Sequence, residues 1–424
     1  MIKILNYNSV KPEEIFARPD GIKDVSATVS EIIKTVKVGG DNALKEFCKK
    51  FDGADLKSLE VDKEEITAAV NGVEPEFLRV LKQAAINIKR FHSKQKRKGF
   101  SIIKKDGTLI GQKITPIEKA GIYVPGGTAA YPSTVLMDAI PAKIAGVKEI
   151  IMTTPPDKNG KINPAVLAAA HIAGVDKIFK VGGAQAIAAL AFGTESIPAV
   201  NKIVGPGNAF VAEAKKQVFG KVAIDMIAGP SEILIVADGK SNPVFIAADL
   251  LSQAEHDKMA SAVLITNSDA LAVQVSVEIE RRLELLPRKE IARASIDDNG
   301  KIIVADSIEK AIEISNEIAP EHLELCLDEP FEYLDKVVNA GSVFLGRYCP
   351  EALGDYFAGP NHTLPTLGTA KFSSPLSVDD FIKKTQFTYY TKEALSKVSD
   401  KIALFAEKEG LTAHAKSATV RSGK

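Results

Sequence analysis

Apolar residues follow two alternating patterns over most of the chain. From Lys119 onward, short runs rich in β-branched residues alternate with longer segments of helical periodicity. The first series predicts strands at "GIYVP", "EIIMTT", "KIFKV" and "NKIVG", with helices near 132–146 and 164–173 and at "AQAIAALAF" and "NAFVAEAKKQVF". Such alternation is typical of a parallel sheet with helices on both faces.

The pattern restarts near residues 229–232. It predicts strands at "EILIVAD", "SAVLITN", "KIIVAD", "HLELCL" and "GSVFLG", with helices near 243–256, 268–285 and 307–318. We therefore expect an α/β fold of two doubly wound, incomplete Rossmann-like domains. The pattern is mostly helical before Lys119 and after about Phe372, which predicts small N-terminal and C-terminal helical extensions.

These patterns divide the chain into four predicted parts. They are an N-terminal extension, 1–22; a discontinuous α/β domain, 23–120 plus 233–375; a second α/β domain, 121–232; and a C-terminal helical tail, 376–424. The tail is amphipathic, so we expect it to dock on another domain or another subunit. Near its end, "EKEGLTAH" contains Glu409 and His414, a polar pair that would ordinarily be exposed.

The composition excludes several classes of protein. The 424 residues, 45% hydrophobic and 25% charged, suit a globular protein of two or three domains. Lysine plus arginine equals aspartate plus glutamate at 54 each, so no net charge attracts nucleic acid or a membrane, and we expect a small substrate. No apolar run approaches the length of a membrane-spanning helix, the residues from Met1 to Glu14 lack the apolar region typical of a signal peptide, and the three cysteines form no C-x-x-C pair. We expect a cytoplasmic protein.

Glycine-rich turns follow three of the predicted strands, in "YVPGGTAAYPS", "VGGAQA" and "VGPGNAF". In open α/β sheets, ligands lie outside the carboxyl ends of strands, where small residues let main-chain amides approach phosphates. A nucleotide crevice is one interpretation. No turn matches G-x-G-x-x-G, so tight turns without a ligand are the alternative.

A glutamate and a histidine, Glu321 and His322, are adjacent in "IAPEHLEL". On a regular strand their side chains would point to opposite faces. Pro320 fixes its own φ and disfavours the helical conformation at Ala319, so we expect an irregular corner where both side chains can face one cleft. The alternative is a helix-ending turn with two solvated polar residues.

Two other segments group side chains suited to metal binding or catalysis. In "DLLSQAEH", Gln253 and His256 are three residues apart and would share one helical face, where both could reach one metal; chance proximity is the alternative. In "EALGDYFAGPNHTLPT", Asp355 and His362 lie among glycines and prolines, as in many functional loops.

Two further classes of function remain open from the residues alone. Cys326 or Cys349 could be the thiolate nucleophile of an aldehyde-oxidising enzyme, although neither has a basic partner to lower its pKa. Alternatively, paired α/β units could form the cleft of a two-lobed small-ligand binding protein.

The chain contains, in this order, "GIYVPGG", "VGGAQAIAALAFGT", "KIVGPGNAFVAEAKKQV", "IDMIAGPSEILIVAD", "DLLSQAEH", "APEHLEL", "GRYCPEALGDY", "GPNHTLPT" and "LTAH". This series resembles the histidinol dehydrogenase family over nearly the whole chain. The resemblance implies an enzyme that oxidises L-histidinol through L-histidinaldehyde to L-histidine, the last steps of histidine biosynthesis, with two NAD and one zinc per subunit. It also implies a homodimer in which the tail of one subunit completes the active site of the other.

The resemblance implies a role for each of a larger set of residues. Zinc ligands are expected at Gln253, His256, Asp355 and His414. Substrate contacts are expected at Ser231, Gln253, His256, His322, Asp355, His362, Glu409 and His414, and NAD contacts at Tyr123, Gln185 and Asn208. His322 would be the general base of both oxidations, and Glu321 would activate water for the second. The discontinuous domain would hold metal ligands and the catalytic pair, and residues 121–232 would bind NAD.

Overall fold

The computed structural model describes residues 1–18, 24–126 and 130–422. They form two compact units, the first of Met1–Gln95 and Glu118–Phe381, the second of Lys96–Ile117 and Ile382–Lys424. The predicted limit between residues 22 and 23 lies outside the described residues, as does part of the first glycine-rich turn, at 127–129. No helix in the described ranges is long and apolar enough to cross a membrane.

The amino-terminal part of the first unit is mostly helical, as predicted. Its elements are β1 (Lys3–Asn6), α1 (Pro12–Phe16), α2 (Ser26–Phe47), α3 (Lys63–Gly72) and α4 (Pro75–His92). Asp62 caps α3, because its side chain accepts a hydrogen bond of 2.7 Å from the main-chain N–H of Glu65. Strand β1 was not predicted from the sequence. The chain then enters the second unit through β2 (Phe100–Ile103) and β3 (Leu109–Pro116).

A five-stranded sheet follows in the first unit. Its elements are β4 (Lys119–Tyr123), α5 (Pro132–Ala145), β5 (Glu149–Thr154), α6 (Pro164–Ala173), β6 (Lys177–Lys180), α7 (Gly183–Phe192), β7 (Lys202–Val204), α8 (Ala209–Val218) and β8 (Ala223–Ile224). The strand order is β6-β5-β4-β7-β8, and every pair is parallel. The order reverses between β4 and β7, and ligands of such sheets bind in the crevice at this point.

A six-stranded parallel sheet completes the first unit. Its elements are β9 (Glu232–Ala237), α9 (Pro243–Ala254), β10 (Ser261–Thr266), α10 (Asp269–Leu283), α11 (Lys289–Asn299), β11 (Lys301–Val304), α12 (Ile308–Ile318), β12 (His322–Cys326), α13 (Phe331–Leu334), β13 (Ser342–Leu345) and α14 (Glu351–Leu353). The strand order is β1-β11-β10-β9-β12-β13. The order reverses between β9 and β12, as it does between β4 and β7 in the other sheet.

Both faces of the six-stranded sheet are covered by helices. Along β9, Ile233 and Ile235 pack into a core with residues of α9, α10 and α11. Leu234 and Val236 point the other way, into a core with residues of α1 and α12. This alternation confirms the predicted α/β class, with helices on both faces of a parallel sheet.

The second unit contains a three-stranded antiparallel sheet. Its remaining elements are β14 (Ile382–Tyr389), α15 (Lys392–Ser396), α16 (Ser399–Lys408) and α17 (Thr412–Thr419). The strand order is β14-β3-β2, and Ile382 pairs with Pro116 at one end of β14 and Tyr389 with Leu109 at the other. The prediction of a wholly helical tail is therefore corrected at Ile382–Tyr389. Local periodicity could not reveal this strand, because its partner lies far away in the sequence.

Candidate functional site

Glu321 and His322 lie at the corner between α12 and β12. Helix α12 ends at Ile318, and Ala319 adopts a left-handed conformation with φ 52°, which is uncommon for a residue with a Cβ. His322 then opens β12, between Ile233 of β9 and Ser342 of β13. The corner matches the expectation from the sequence. The alternative of two solvated polar residues is wrong, since the side chains of Glu321 and His322 are only 8% and 5% exposed.

The main chain of Glu232 holds both members of this pair. Its N–H donates to Oε2 of Glu321 over 2.9 Å, and its carbonyl lies 3.0 Å from Nδ1 of His322. A carbonyl only accepts, so Nδ1 must bear a proton, and neutral His322 has its free lone pair on Nε2. Among the described residues, Nε2 has no hydrogen-bond partner, and its closest ion-pair contact there is Oδ1 of Asp355, at 3.6 Å.

Burial and charge together shift the titration of this pair. Burial raises the pKa of Glu321 to about 8, against the opposing charge of His322. Burial by itself would lower the pKa of His322, but the carboxylates of Glu351, Glu321 and Asp355 outweigh it and raise that pKa well above its usual value. The pair therefore retains a proton near neutral pH, and it becomes available as a base once that proton is lost at higher pH.

His322 and two neighbouring carboxylates form a group of three buried or half-buried donors that could hold a metal ion. Ligand atoms of His322, Glu351 and Asp355 all lie within 4.8 Å of one another. Glu351 and Asp355 are one helical turn apart, and burial raises the pKa of Glu351 to about 7. Nε2 of His322 and Oε2 of Glu351 are buried, and neither has a hydrogen-bond partner in the part of the chain that the structure describes. This set of nitrogen and oxygen donors suits a divalent cation such as Zn²⁺.

Gln253 and His256 lie at the carboxyl end of α9, beside this cluster. With the amide nitrogen of the fully buried Gln253 facing Glu351, it donates to Oε1 over 2.8 Å, and the amide oxygen accepts from the N–H of Glu232 over 3.0 Å. The oxygen keeps a second lone pair for a metal. His256 is exposed and follows the helix. Burial raises the pKa of Asp355, but the nearby imidazoles of His322, His362 and His256 lower it below its usual value.

His362 lies close to Asp355 on the loop after β13. Its Nδ1 is 3.1 Å from the main-chain oxygen of Asp355, and its Nε2 is 3.4 Å from Oγ1 of Thr134 on α5. Contacts with α5 therefore connect this loop to the five-stranded sheet. Ser231, half-buried, directly precedes Glu232 at the start of β9.

The other two predicted site residues belong to the second unit. Glu409 follows α16 as its final capping residue, and His414 lies in the first turn of α17. Both are exposed.

Tyr123, Gln185 and Asn208 line one cavity of about 1250 Å³. Tyr123 ends β4, and its hydroxyl accepts a hydrogen bond of 3.1 Å from the N–H of Gly183. Asn208 caps α8 after β7, and Gly205 in the preceding turn has φ 113°, which favours glycine. Tyr123 and Asn208 thus flank the crevice where the strand order reverses, and Gln185 on α7 lines the same space, which is larger than most small-molecule sites.

The two cysteine alternatives are disfavoured by their surroundings. Burial and the neighbouring Glu324 raise the pKa of the Cys326 thiol. Burial also raises the pKa of Cys349. Neither thiol is activated as a nucleophile, since that role requires the thiolate.

Sequence reasoning missed Glu351 and Glu232. The spacing of Glu351 and Asp355, one helical turn apart in "EALGD", was a signal for the first. Glu232 gave none, because it contributes its main chain to the site. The site around Glu321 and His322 lies at the amino ends of its strands, because Glu232 and His322 are the first residues of β9 and β12. Ligands of such sheets usually bind at the carboxyl ends, where the cavity lined by Tyr123 lies.

The chain is similar to known proteins over nearly its full length. The family model described as histidinol dehydrogenase matches residues 17–422. The chain is 59% identical over 398 residues to a histidinol dehydrogenase of Clostridium acetobutylicum, covering 94% of this chain and 92% of the relative. It is 60% identical over 397 residues to one of Listeria monocytogenes, covering 94% and 93%.

A solved structure agrees with this assignment. The crystal structure of histidinol dehydrogenase from Elizabethkingia anophelis matches with a TM-score of 0.94 at 44% identity, covering 99% of this chain and 98% of that chain. Sequence and fold point to the same family. The chain therefore belongs to the histidinol dehydrogenase family of NAD-dependent oxidoreductases.

Proposed function

We propose that this protein oxidises L-histidinol through L-histidinaldehyde to L-histidine, the last steps of histidine biosynthesis, using two NAD per histidinol. The observation that supports this best is the buried pair Glu321 and His322, held side by side by the main chain of Glu232. An alcohol that becomes an acid needs a base in both oxidations and an activated water between them. The pair offers one side chain for each task.

In the first oxidation, Nε2 of His322 would take the hydroxyl proton as hydride leaves the same carbon. Bound NAD supplies the hydride acceptor in both oxidations. Glu321 would then take a proton from the water that adds to the aldehyde carbonyl, while His322 returns its proton to the carbonyl oxygen, which forms the hydrate and frees Nε2 to act again. His322 would take a hydroxyl proton from the hydrate as the second hydride leaves. Histidinol, water and two NAD⁺ thus give ionised histidine, two NADH and three protons.

The residues of the first unit fit a zinc ion of the kind that the family resemblance implies. Gln253, His256 and Asp355 would be three ligands and His414 the fourth, a set of nitrogen and oxygen donors typical of zinc. Bound zinc would hold the imidazole and amino nitrogens of the substrate. The support from this structure is the group of buried donor atoms without partners beside Asp355. Ser231, His362 and Glu409 would make further substrate contacts.

Tyr123, Gln185 and Asn208 would bind NAD. Their common cavity and its position at the strand-order reversal support this role. The NAD-binding domain would then be residues 121–232, and the discontinuous domain, 23–120 plus 233–375, would carry the catalytic pair. Residues 1–22 and 376–424 would be the extensions.

We also propose a homodimer in which the tail of one subunit completes the active site of the other. Glu409 and His414 are exposed polar residues, as side chains that serve a partner subunit would be. The free thiols of Cys48, Cys326 and Cys349 support a reducing cytoplasm as the compartment.

The proposed function is tested by counting NADH formed per L-histidinol consumed, before and after EDTA treatment and after zinc is added back. We expect two NADH per histidinol, loss of activity on chelation and recovery with zinc. One NADH would indicate an alcohol dehydrogenase that stops at the aldehyde. No NADH would contradict an enzymatic role and favour the small-ligand binding protein.

A further inference from the structure

Arg18 lies just beyond α1 and connects two chain segments next to the catalytic pair. Its Nη1 donates to Oε1 of Glu232 over 2.9 Å, and its Nη2 donates to the main-chain oxygen of Ile318. A Cβ on Gly368 would lie 2.8 Å from Nη2, so the absence of a side chain there lets the guanidinium lie against the main chain at Gly368. One side chain thus joins the start of β9 to the end of α12.

The two segments that Arg18 connects, at Glu232 and Ile318, are both next to Glu321 and His322. The main chain of Glu232 bonds to Glu321 and His322, as described above. Ile318 is the last residue of α12, three positions before Glu321 on the corner. A shift of the Glu232 segment would move the donor and the acceptor that orient the pair, and a shift of the end of α12 would move the corner that carries the pair.

Arg18 balances the charge of the buried Glu232. The Glu232 side chain is only 8% exposed, and within the described ranges its ion pair is with Arg18. Lys301 is another cation near Glu232, but its Nζ donates to the main-chain oxygens of Ile15 and Ala17, at 3.0 and 2.9 Å. Without Arg18, the buried carboxyl of Glu232 would lose the charge that balances it.

We propose that Arg18 is a positioning residue, which fixes Glu232 and Ile318 and thereby holds Glu321 and His322 in their reactive arrangement. This inference rests on the proposed function, because it concerns the groups that perform both oxidations. Arg18 acts through the main chain of Glu232 and does not touch the reacting atoms. Both oxidations should therefore depend on it.

A cavity beside Arg18 makes a specific test possible. It has a volume of about 400 Å³ and is lined by Arg18, Glu232, Ile318, Lys301 and Lys371, among others. If Arg18 is shortened to alanine, a free guanidinium ion has room to enter and pair with Glu232. Urea has a similar size and shape but no charge, so it serves as the control for this rescue.

The experiment compares Arg18→Ala and Arg18→Lys with the wild type. We expect kcat of Arg18→Ala to fall by about 10- to 100-fold in both oxidations, with KM for NAD unchanged, and the pH profile to shift. Arg18→Lys should recover part of the loss, because it keeps the charge. Millimolar guanidinium should restore kcat of Arg18→Ala in a saturable way, and urea should not. Lys371→Ala removes an exposed cation from the same cavity and should leave kcat unchanged.

Several results would overturn the proposal. One is an Arg18→Ala enzyme with the wild-type kcat and pH profile. Another is a decrease in kcat that the smaller folded fraction explains entirely and that guanidinium does not reverse. If Arg18→Ala does not fold, Arg18→Gln and Glu232→Gln replace it in a double-mutant cycle, and additive losses would contradict the connection. A wild type that forms no NADH from histidinol would instead contradict the proposed function itself.

Discussion

Nδ1 of His322 donates a hydrogen bond of 3.0 Å to the main-chain carbonyl of Glu232. In many catalytic sites a carboxylate orients the histidine, whereas here the first residue of a central strand does so with its backbone. The carbonyl can only accept, so this hydrogen bond keeps a proton on Nδ1 of His322. Base chemistry is thereby confined to Nε2.

Replacement of His322 by asparagine should abolish most of the activity. Asparagine can still donate to the Glu232 carbonyl, but it has no basic nitrogen in place of Nε2. We expect both oxidations to slow by about 100-fold or more, measured separately with histidinol and histidinaldehyde as substrates. His171→Asn, at an exposed histidine of α6, is the matched control. Nearly normal rates for His322→Asn would exclude it as the base.

The rate of aldehyde oxidation should increase with pH up to about 8 or above. Burial raises the pKa of Glu321 to about 8, so the carboxyl is mostly protonated at neutral pH and cannot accept a proton from water. Raising the pH ionises it and so creates the base. The measurement is kcat/KM for histidinaldehyde across this range. A rate that stays flat or falls between about pH 6 and 8 would contradict the role of Glu321.

Asp138 should make the fold less stable as the pH rises. It is fully buried on α5, accepts a hydrogen bond from Thr363 over 2.8 Å, and has a pKa of about 8, raised mainly by burial. This pKa lies above the unfolded value, so the folded state holds an extra proton between the two values and loses stability through that window. In Asp138→Asn, whose side chain is neutral, the free energy of unfolding should lack this decrease of roughly 1.4 kcal/mol per pH unit.

Urea unfolding at several pH values measures this difference. Asp298→Asn, at an exposed position of α11, is the control and should keep the wild-type slope. Equal slopes for Asp138→Asn and the wild type would show that Asp138 is already ionised in the folded state.

Gly205 and Gly220 should respond differently to replacement by alanine. Both have positive φ, 113° and 96°, so either substitution should cost about 1 kcal/mol of backbone strain. A Cβ at Gly205 would also overlap the carbonyl oxygen of Tyr123, whereas no atom of the described residues lies within 4 Å of one at Gly220. We expect Gly205→Ala alone to weaken NAD binding, measured by titration. Equal affinities in both variants would contradict the position of the NAD site.

Local patterns were sufficient for most strands of the two parallel sheets and for much of the candidate site. Strand runs and helical periodicity reflect burial on both faces of a sheet, so they predicted the strands from β4 to β13 except the two-residue β8, and they missed the edge strand β1. The corner at Glu321 followed from Pro320 alone. In each case the information lies within a few residues of the feature.

Features that depend on distant partners could not be predicted. Strand β14 is largely exposed and is defined by pairing with Leu109–Pro116. Arg18 and Glu232 look like ordinary surface charges in the sequence and meet only after folding, at a separation of 214 residues. Glu232 acts through its main chain, which every residue type shares.

The most direct test of the division of labour between Glu321 and His322 is the fate of the aldehyde in Glu321→Gln. The substitution keeps the size of the side chain but removes the base that activates water, while His322 remains. We predict that the first NADH forms at a rate close to that of the wild type, that the second forms slowly, and that histidinaldehyde accumulates in a rapid-quench experiment. If both oxidations slow equally and no aldehyde appears, the two residues do not have separate tasks.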